Sequence, residues 1–476
     1  MRQLDTDYLV IGAGATGLAF ADTLIDHSDA HITLVDRRGK PGGHWTDAYG
    51  FVTLHQPSAF YGVNSTELSG GRKDVVGLNA GLGELASGAE VAGYFDRVMN
   101  QRLLPSGRVR WLPMSEHLGD GRVQNLLSGE ATQIVVRRKT VDAHYLCPAI
   151  PATQAPRFEV GAGVRLLPPG ALPGLWQTAA QGRWPERFVV LGAGKTAMDT
   201  CIWLLQSGAA PESIRWVMPR DSWLVNRITT QNTPEFFEAA IGGQADLLQA
   251  LAEAQSVEDL FLRLEACGQL LRIDRERWPT MFHLATVSPA EVALLRQVRD
   301  VLRLGRVRSI SAGEMVLEQG RVAVEPGTLF IDCTASAVWP RPLRPTFEGR
   351  HIVLNMLRLP QPTFSAALIA WVEANIDDER QKSRLCSAAP FPHTLADYPR
   401  AMMASLWNQA QWGQHPALRQ WMRESRLDGF GKLVAEADRN DAGKMAILAR
   451  LKVQAMAAMG NLQKLSAAAP TAPAAR

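Results

Sequence analysis

Gly12-Ala13-Gly14-Ala15-Thr16-Gly17 has the spacing G-x-G-x-x-G. Each glycine answers a physical need. Gly12 makes a tight turn off a strand, and Gly14 leaves bare backbone that a pyrophosphate can approach at a helix N-terminus. Gly17 lets that helix pack closely on the strand. Ala15 and Thr16 supply the first helical amides. Asp36, 24 residues after Gly12 (36 − 12), ends the next apolar run, and an acid there accepts hydrogen bonds from an adenosine ribose. The same carboxylate disfavours a 2′-phosphate, so the ligand is FAD or NAD rather than NADP. Arg37 and Arg38 follow it and either frame the site, touching a phosphate, or face solvent.

Gly192-Ala193-Gly194-Lys195-Thr196-Ala197 repeats the pattern with alanine in third place. The corner equivalent to Asp36 here holds Pro219 and Arg220, the first carboxylate is Asp221, and Arg227 lies close by. A missing acid beside arginines suits a 2′-phosphate, so Arg220 and Arg227 are expected to select NADPH unless Arg220 is a solvated surface charge. Lys195 either meets the NADPH pyrophosphate or points to water. Two dinucleotide folds in one chain imply electron transfer, with a flavin held in one and a nicotinamide presented by the other.

The elements that must position these residues are legible around them. Tyr8-Leu9-Val10-Ile11 and His31-Ile32-Thr33-Leu34-Val35 read as buried parallel strands flanking a helix over Leu18–Ile25. Phe188-Val189-Val190-Leu191 and Ile214-Arg215-Trp216-Val217 bracket a second such unit. Residues 37–65 read as loop. Between 108 and 136, short strands separated by Gly119-Asp120-Gly121 and Ser128-Gly129 read as an antiparallel meander. Pro148 to Pro156 read as a connector. Residues 233–304 and about 390–465 read as helical. Arg306 to Ile310 and Leu329 to Asp332 read as a strand pair, and a helix follows over Ser365–Ala374.

The expected fold class is therefore α/β. An FAD domain (1–155 and 326–375) carries an inserted NADPH domain (156–325), and a helical extension with a frayed tail follows (376–476).

Composition narrows the function classes. With 50 Lys+Arg against 47 Asp+Glu there is no basic surplus for nucleic acid. No apolar run reaches the ~18 residues of a spanning helix. The five cysteines stand in no C-x-x-C, and there is no H-E-x-x-H or clustered His/Cys set, so neither a redox dithiol nor a metal site is expected. Met1 to Asp7 lacks an apolar signal core, which implies a cytoplasmic protein. The oligomeric state is open.

These motifs, with Gly42-Gly43-His44-Trp45 and Ile331-Asp332-Cys333-Thr334-Ala335, resemble those of the two-dinucleotide-binding-domain flavoproteins, and most of all the flavin-containing monooxygenase-like group. The resemblance covers roughly residues 1–375. It implies that Gly43, His44 and Trp45 lie along the FAD pyrophosphate and ribitol. It implies too that Leu54-His55-Gln56-Pro57-Ser58 reaches the isoalloxazine edge, with His55 and Gln56 the polar candidates for catalysis. Backbone at Met114-Ser115 would lie beside adenine, and Asp332 near the FAD. A helix opening at Thr363-Phe364-Ser365 would aim its N-terminus at the flavin N1–C2=O. The fingerprint F-x-G-x-x-x-H-x-x-x-[FYW] of the monooxygenases is absent.

The expected reaction is hydride transfer from NADPH to FAD. O2 then forms a C4a-peroxyflavin that oxygenates a small organic substrate at nitrogen, sulfur or carbonyl carbon. The alternatives are an NADPH-dependent reductase without oxygen insertion and a non-catalytic FAD-binding sensor or scaffold. His55 as a proton relay competes with a loop histidine satisfied by neighbouring backbone.

Overall fold

The computed structural model describes residues 2–146, 149–179, 185–336 and 340–468. Cys147, Pro148 and the end of the Ala/Pro-rich tail lie outside them. Two parallel sheets organise the chain. The first runs in the order Phe347–Glu348, His351–Val353, Ala131–Asp142, Arg2–Ile11, Ile32–Val35, Val109–Leu112. From His351–Val353 onward every neighbouring pair in this order is parallel. Register aligns the strand ends, with Ile11 opposite both Val35 and Asp142. Gly12, Asp36 and Ala143 therefore emerge along one edge, the carboxyl edge at which open α/β sheets bind ligands.

The second sheet has the order Asp300–Leu302, Ile214–Val217, Phe188–Leu191, Leu329–Asp332, Arg165–Leu167, all parallel. Leu191 pairs with Val217 on one side and Asp332 on the other, so Gly192, Met218 and Cys333 share an edge. Strands such as Ile32–Val35 and Phe188–Leu191 are buried at every residue, which is why they read as unbroken apolar runs.

Several expectations change. The strand ending at Asp332 does not return the chain to the first sheet. It is built into the second, beside Phe188–Leu191, and the return begins only at Phe347–Glu348. Val307–Ile310 does not pair with it either, but joins Glu314–Leu317, Gly320–Ala323 and Glu159–Val160 in a separate four-stranded sheet. Val109–Leu112 is the edge strand of the first parallel sheet, and the meander consists of Ser115–Gly119, Arg122–Asn125 and Ala131–Asp142. The region 233–304 also contains Asp300–Leu302, a strand of the second sheet inside a stretch read as helix.

Helices Ala15–His27 and Pro362–Asn375 pack in the core of the first unit. The C-terminal helices bind both halves. Trp412, Leu418 and Trp421 enter the first unit's core, whereas Tyr398, Ala458 and Leu462 pack with Trp223, Phe261 and Phe282. Among the described residues no helix is long and apolar enough to cross a membrane.

Candidate functional site: two nucleotide cradles and a shared cleft

The first glycine turn has the geometry its spacing demands. Gly12 has φ +108°, and a Cβ on Gly17 would stand 2.0 Å from the Gly12 carbonyl oxygen. Gly14 is different. A Cβ there would meet the Gly43 Cα at 3.6 Å and its nitrogen at 3.9 Å, both at ordinary contact distance. Protein packing does not require glycine at 14, so its bare backbone remains for a ligand. Gly42 (φ +119°) and Gly43 (φ +61°) lay a second bare strand of backbone against it, and the Gly42 amide donates to the Ala13 carbonyl at 2.8 Å. Gly14 caps helix Ala15–His27 without a side-chain hydrogen bond, leaving the amides of its first turn unclaimed by a capping group.

Asp36 is buried at the strand end. One carboxylate oxygen accepts from the Ala13 amide at 2.8 Å and the other from the Arg38 amide at 2.9 Å. Each oxygen keeps a lone pair for a ribose hydroxyl. Arg37 points outward, its side chain 66% exposed, 3.7 Å from Glu116. The Ser115 hydroxyl donates to the Pro113 carbonyl at 2.8 Å and its amide to the Asp36 carbonyl at 2.8 Å, so both donors are engaged within the protein. Thr16 makes a long contact to the Ala143 carbonyl, 3.4 Å. His44 and Trp45 stack at 5.2 Å between ring centres, and the Trp45 indole donates to Tyr61 at 2.8 Å. Burial, helped by Arg38, lowers the His44 pKa to about 4, so this ring is a neutral packing surface.

The loop 54–58 divides into a structural and a chemical part. Ser58 is buried; its hydroxyl donates to the Glu84 carbonyl (2.8 Å) and accepts from the Ala86 amide (2.7 Å), so it pins the loop. Among the described residues, the Gln56 side chain makes one contact, to the Phe60 carbonyl at 3.5 Å. His55 is exposed, and its carbonyl is held by Arg227 at 2.6 Å. Burial, then Lys195, Arg227 and His44, hold its pKa well below the usual histidine range. Lys195 and Arg227 belong to the second half of the chain, so both halves meet at this ring.

The second turn repeats the first. Gly192 has φ +121°, a Cβ there would lie 2.7 Å from the Cys333 carbonyl oxygen, and the Trp216 indole donates to the Gly192 carbonyl at 2.7 Å. A Cβ on Gly194 would meet nothing within 4 Å, and Gly194 caps helix Lys195–Gln206 without a side-chain bond. Ala197 is buried against the sheet, and the Thr196 carbonyl accepts from the Thr200 hydroxyl. Lys195 neither points to water nor stands free. It is ion-paired with Asp199, which also accepts from the Tyr49 hydroxyl at 2.7 Å.

Arg220 is exposed at the expected corner and makes no ion pair among the described residues. Burial of its stem and the nearby Arg306 lower its pKa. Asp221 is neutralised by Arg303, at 2.8 and 3.0 Å. Beside it the Ser222 hydroxyl is buried without a partner among the described residues, in a cleft lined by Ala193, Met218 and Asp221.

Four expected site residues do other work. Arg227 is not at this corner. It is fully buried and paired with Glu291 at 2.9 Å, because its long side chain turns inward between the halves. Asp332 closes an Asx turn, accepting from the Thr334 amide (2.9 Å) and hydroxyl (2.6 Å), and it sits on the second sheet away from the first turn's edge. At the helix opening at Thr363, the Ser365 hydroxyl bridges the Gln361 carbonyl and the Leu357 amide, and Phe364 packs on Arg358 and Trp421. Helix Pro362–Asn375 opens without a side-chain cap. Sequence reasoning passed over Tyr49, Asp199, Glu291 and Arg306. The i,i+4 spacing of Lys195 and Asp199 was a usable signal; the others carried none. Among the described residues no His/Cys/Asp/Glu group could hold a metal ion.

Residues 10–65 match the family described as NAD(P)-binding Rossmann-like domain. The chain is 45% identical over 433 residues to Uncharacterized protein Rv2000 of Mycobacterium tuberculosis, covering 91% of this chain and 79% of that one. Among solved structures it is similar to a flavin-containing monooxygenase from Stenotrophomonas maltophilia (14% identity, 81% of this chain and 100% of that one, TM-score 0.43). It is also similar to cyclohexanone monooxygenase from Rhodococcus sp. Phi1 bound to NADP+ (16% identity, 69% and 70%, TM-score 0.38).

Proposed function

This chain belongs to the same family as the mycobacterial protein Rv2000, and we propose that it is an FAD-dependent, NADPH-using oxidoreductase that oxygenates a small organic substrate at nitrogen, sulfur or carbonyl carbon. The observation that supports this is the contact between the two glycine-turn units: Tyr49 of the first donates to Asp199 on the helix of the second at 2.7 Å, and Arg227 donates to the His55 carbonyl at 2.6 Å. Asp36, Gly14 and Gly43 would hold FAD; Gly194, Arg220 and Arg306 would hold NADPH, the two arginines, which make no ion pair among the described residues, opposing its 2′-phosphate. When bound, a flavin would supply the two-electron redox chemistry between the nicotinamide and O2.

The chain's own residues bind, orient and move protons. Bare backbone at Gly14 and Gly194 admits the pyrophosphates to two helix N-termini. His55, neutral at physiological pH, keeps one ring nitrogen as donor and one as acceptor, so it can hold or relay a proton. The overall balance is one NADPH, one proton, one O2 and one substrate giving NADP+, water and the oxygenated product.

A second reading, an NADPH-dependent reductase without oxygen insertion, is favoured by the missing monooxygenase fingerprint. One experiment tests both. The purified protein is assayed for flavin, then for NADPH oxidation, O2 uptake and peroxide with amines, sulfides and ketones. Oxygenation gives product in step with NADPH and little peroxide; peroxide equal to NADPH with every substrate gives the reductase. A protein that takes up neither nucleotide refutes both.

A further inference from the structure

We infer that Arg227 is the positioning residue for His55, tying the cleft loop of the first half to the second half and setting the electrostatics of the imidazole. The inference rests on the reading of His55 as the proton-handling group. The Arg227 guanidinium, fully buried, donates to the His55 carbonyl at 2.6 Å through one terminal nitrogen. Through the other it donates to the Thr286 carbonyl at 3.0 Å and to Glu291 at 2.9 Å. A planar fork can make these bonds at once; an ammonium cannot reproduce them.

Glu291 is itself fixed. It accepts from the Ser288 amide at 2.6 Å in the capping box of helix Pro289–Leu295. Burial pushes its pKa up, but Lys195 and Arg227 outweigh that and hold it below the ordinary carboxylate range. The Arg227 carbonyl accepts from Gln231, whose side-chain oxygen takes the Gly83 amide at 2.7 Å, so a second strap crosses between the halves at the same point.

The titratable groups nearest His55 are Lys195 on the nucleotide helix and Arg227 on the buried turn, both charged, and His44 on the glycine loop, which is neutral. Asp199 and Glu291 are the counter-charges of the first two. With Arg227 anchored to the His55 backbone, its positive charge disfavours the imidazolium. Loss of that charge therefore raises the His55 pKa, and loss of the Glu291 charge lowers it.

The test is NMR titration of His55 in the full-length protein, its signal identified by its loss in His55→Asn. Arg227→Gln is expected to raise the midpoint by on the order of one pH unit. Arg227→Lys should keep the midpoint but shift the His55 resonances, because the carbonyl bond is lost. Both should lower kcat for NADPH oxidation about tenfold or more with KM for NADPH little changed, as expected for misplacement of a catalytic group. Glu291→Gln, which keeps the shape of the pair if the arginine variants fail to fold, should move the midpoint down. A His55 signal insensitive to both Arg227→Gln and Glu291→Gln overturns the inference. Wild-type turnover in His55→Asn would instead remove the role given to His55, while the titration would still judge what Arg227 does.

Discussion

Four glycine-to-alanine substitutions separate what the turns do for the fold from what they do for ligands. Alanine at 17 would place a methyl 2.0 Å from the Gly12 carbonyl oxygen. Backbone cannot swing aside as a side chain can, so the helix must slide off the strand. Overpacking of this kind costs ~1–3 kcal/mol, here at the upper end or beyond. The ~1 kcal/mol that alanine gains over glycine inside a helix offsets only part of it. Gly17→Ala should therefore lose about 2 kcal/mol or more, and Gly192→Ala a similar amount, since its methyl would lie 2.7 Å from the Cys333 carbonyl at φ +121°.

Gly14 and Gly194 already have extended backbone (φ −78° and −85°) and room for a methyl. Alanine at either N-cap should cost under ~1 kcal/mol. It would nevertheless stand where a pyrophosphate must lie, and ~1.4–3 kcal/mol of overpacking weakens binding roughly ten- to 150-fold. Urea unfolding, flavin content and NADP+ titration of the four variants form the assay. The expected pattern is two destabilised variants, one stable variant poor in flavin (Gly14→Ala) and one stable, flavin-replete variant that fails to bind NADP+ (Gly194→Ala). Full flavin in Gly14→Ala would refute the assignment of the first cradle.

Three further outcomes follow from the geometry. Arg220→Ala removes a cation that makes no ion pair among the described residues, so NADPH affinity should fall ~10- to 150-fold, the ~1.5–3 kcal/mol of a charge-assisted contact, with NADH unaffected; equal losses for both cofactors would remove Arg220 from the 2′-phosphate. Ser58→Ala leaves the buried Ala86 amide without its acceptor and should cost ~1–3 kcal/mol in urea unfolding while flavin content stays whole; flavin loss at unchanged stability would show that Ser58 binds the cofactor after all. His44 has its folded pKa lowered from 6.5 to about 4, so its contribution to stability is fully present above pH 6.5 and is lost as the pH falls towards 4, because the unfolded chain binds the proton first. That amounts to about 3 kcal/mol at 1.36 kcal/mol per pH unit, and His44→Gln should flatten the stability curve over this window; an unchanged slope would place the acid sensitivity elsewhere.

What the sequence determined is what local physics sets. The two glycine turns, the buried strands before them, the helices after them and the carboxylate of Asp36 are each specified by a few consecutive residues, because turn dihedrals, helix N-termini and strand burial depend on near neighbours. The loop 54–58 was reached through a family resemblance rather than through any pattern of its own. Tertiary structure alone decided the partners. Arg227 lies 172 residues from the carbonyl it holds, and Tyr49 lies 150 from Asp199. Asp332 could end a strand of either sheet, since burial of Leu329–Asp332 looks the same in both; pairing with Phe188–Leu191 settled it. Ser58 and Ser365 carry hydroxyls that the sequence offers equally to a cofactor or to a backbone amide, and the chain folding back on them made the choice. A charged or polar side chain takes the counter-group that packing delivers within about 3 Å, and packing is a property of the whole chain.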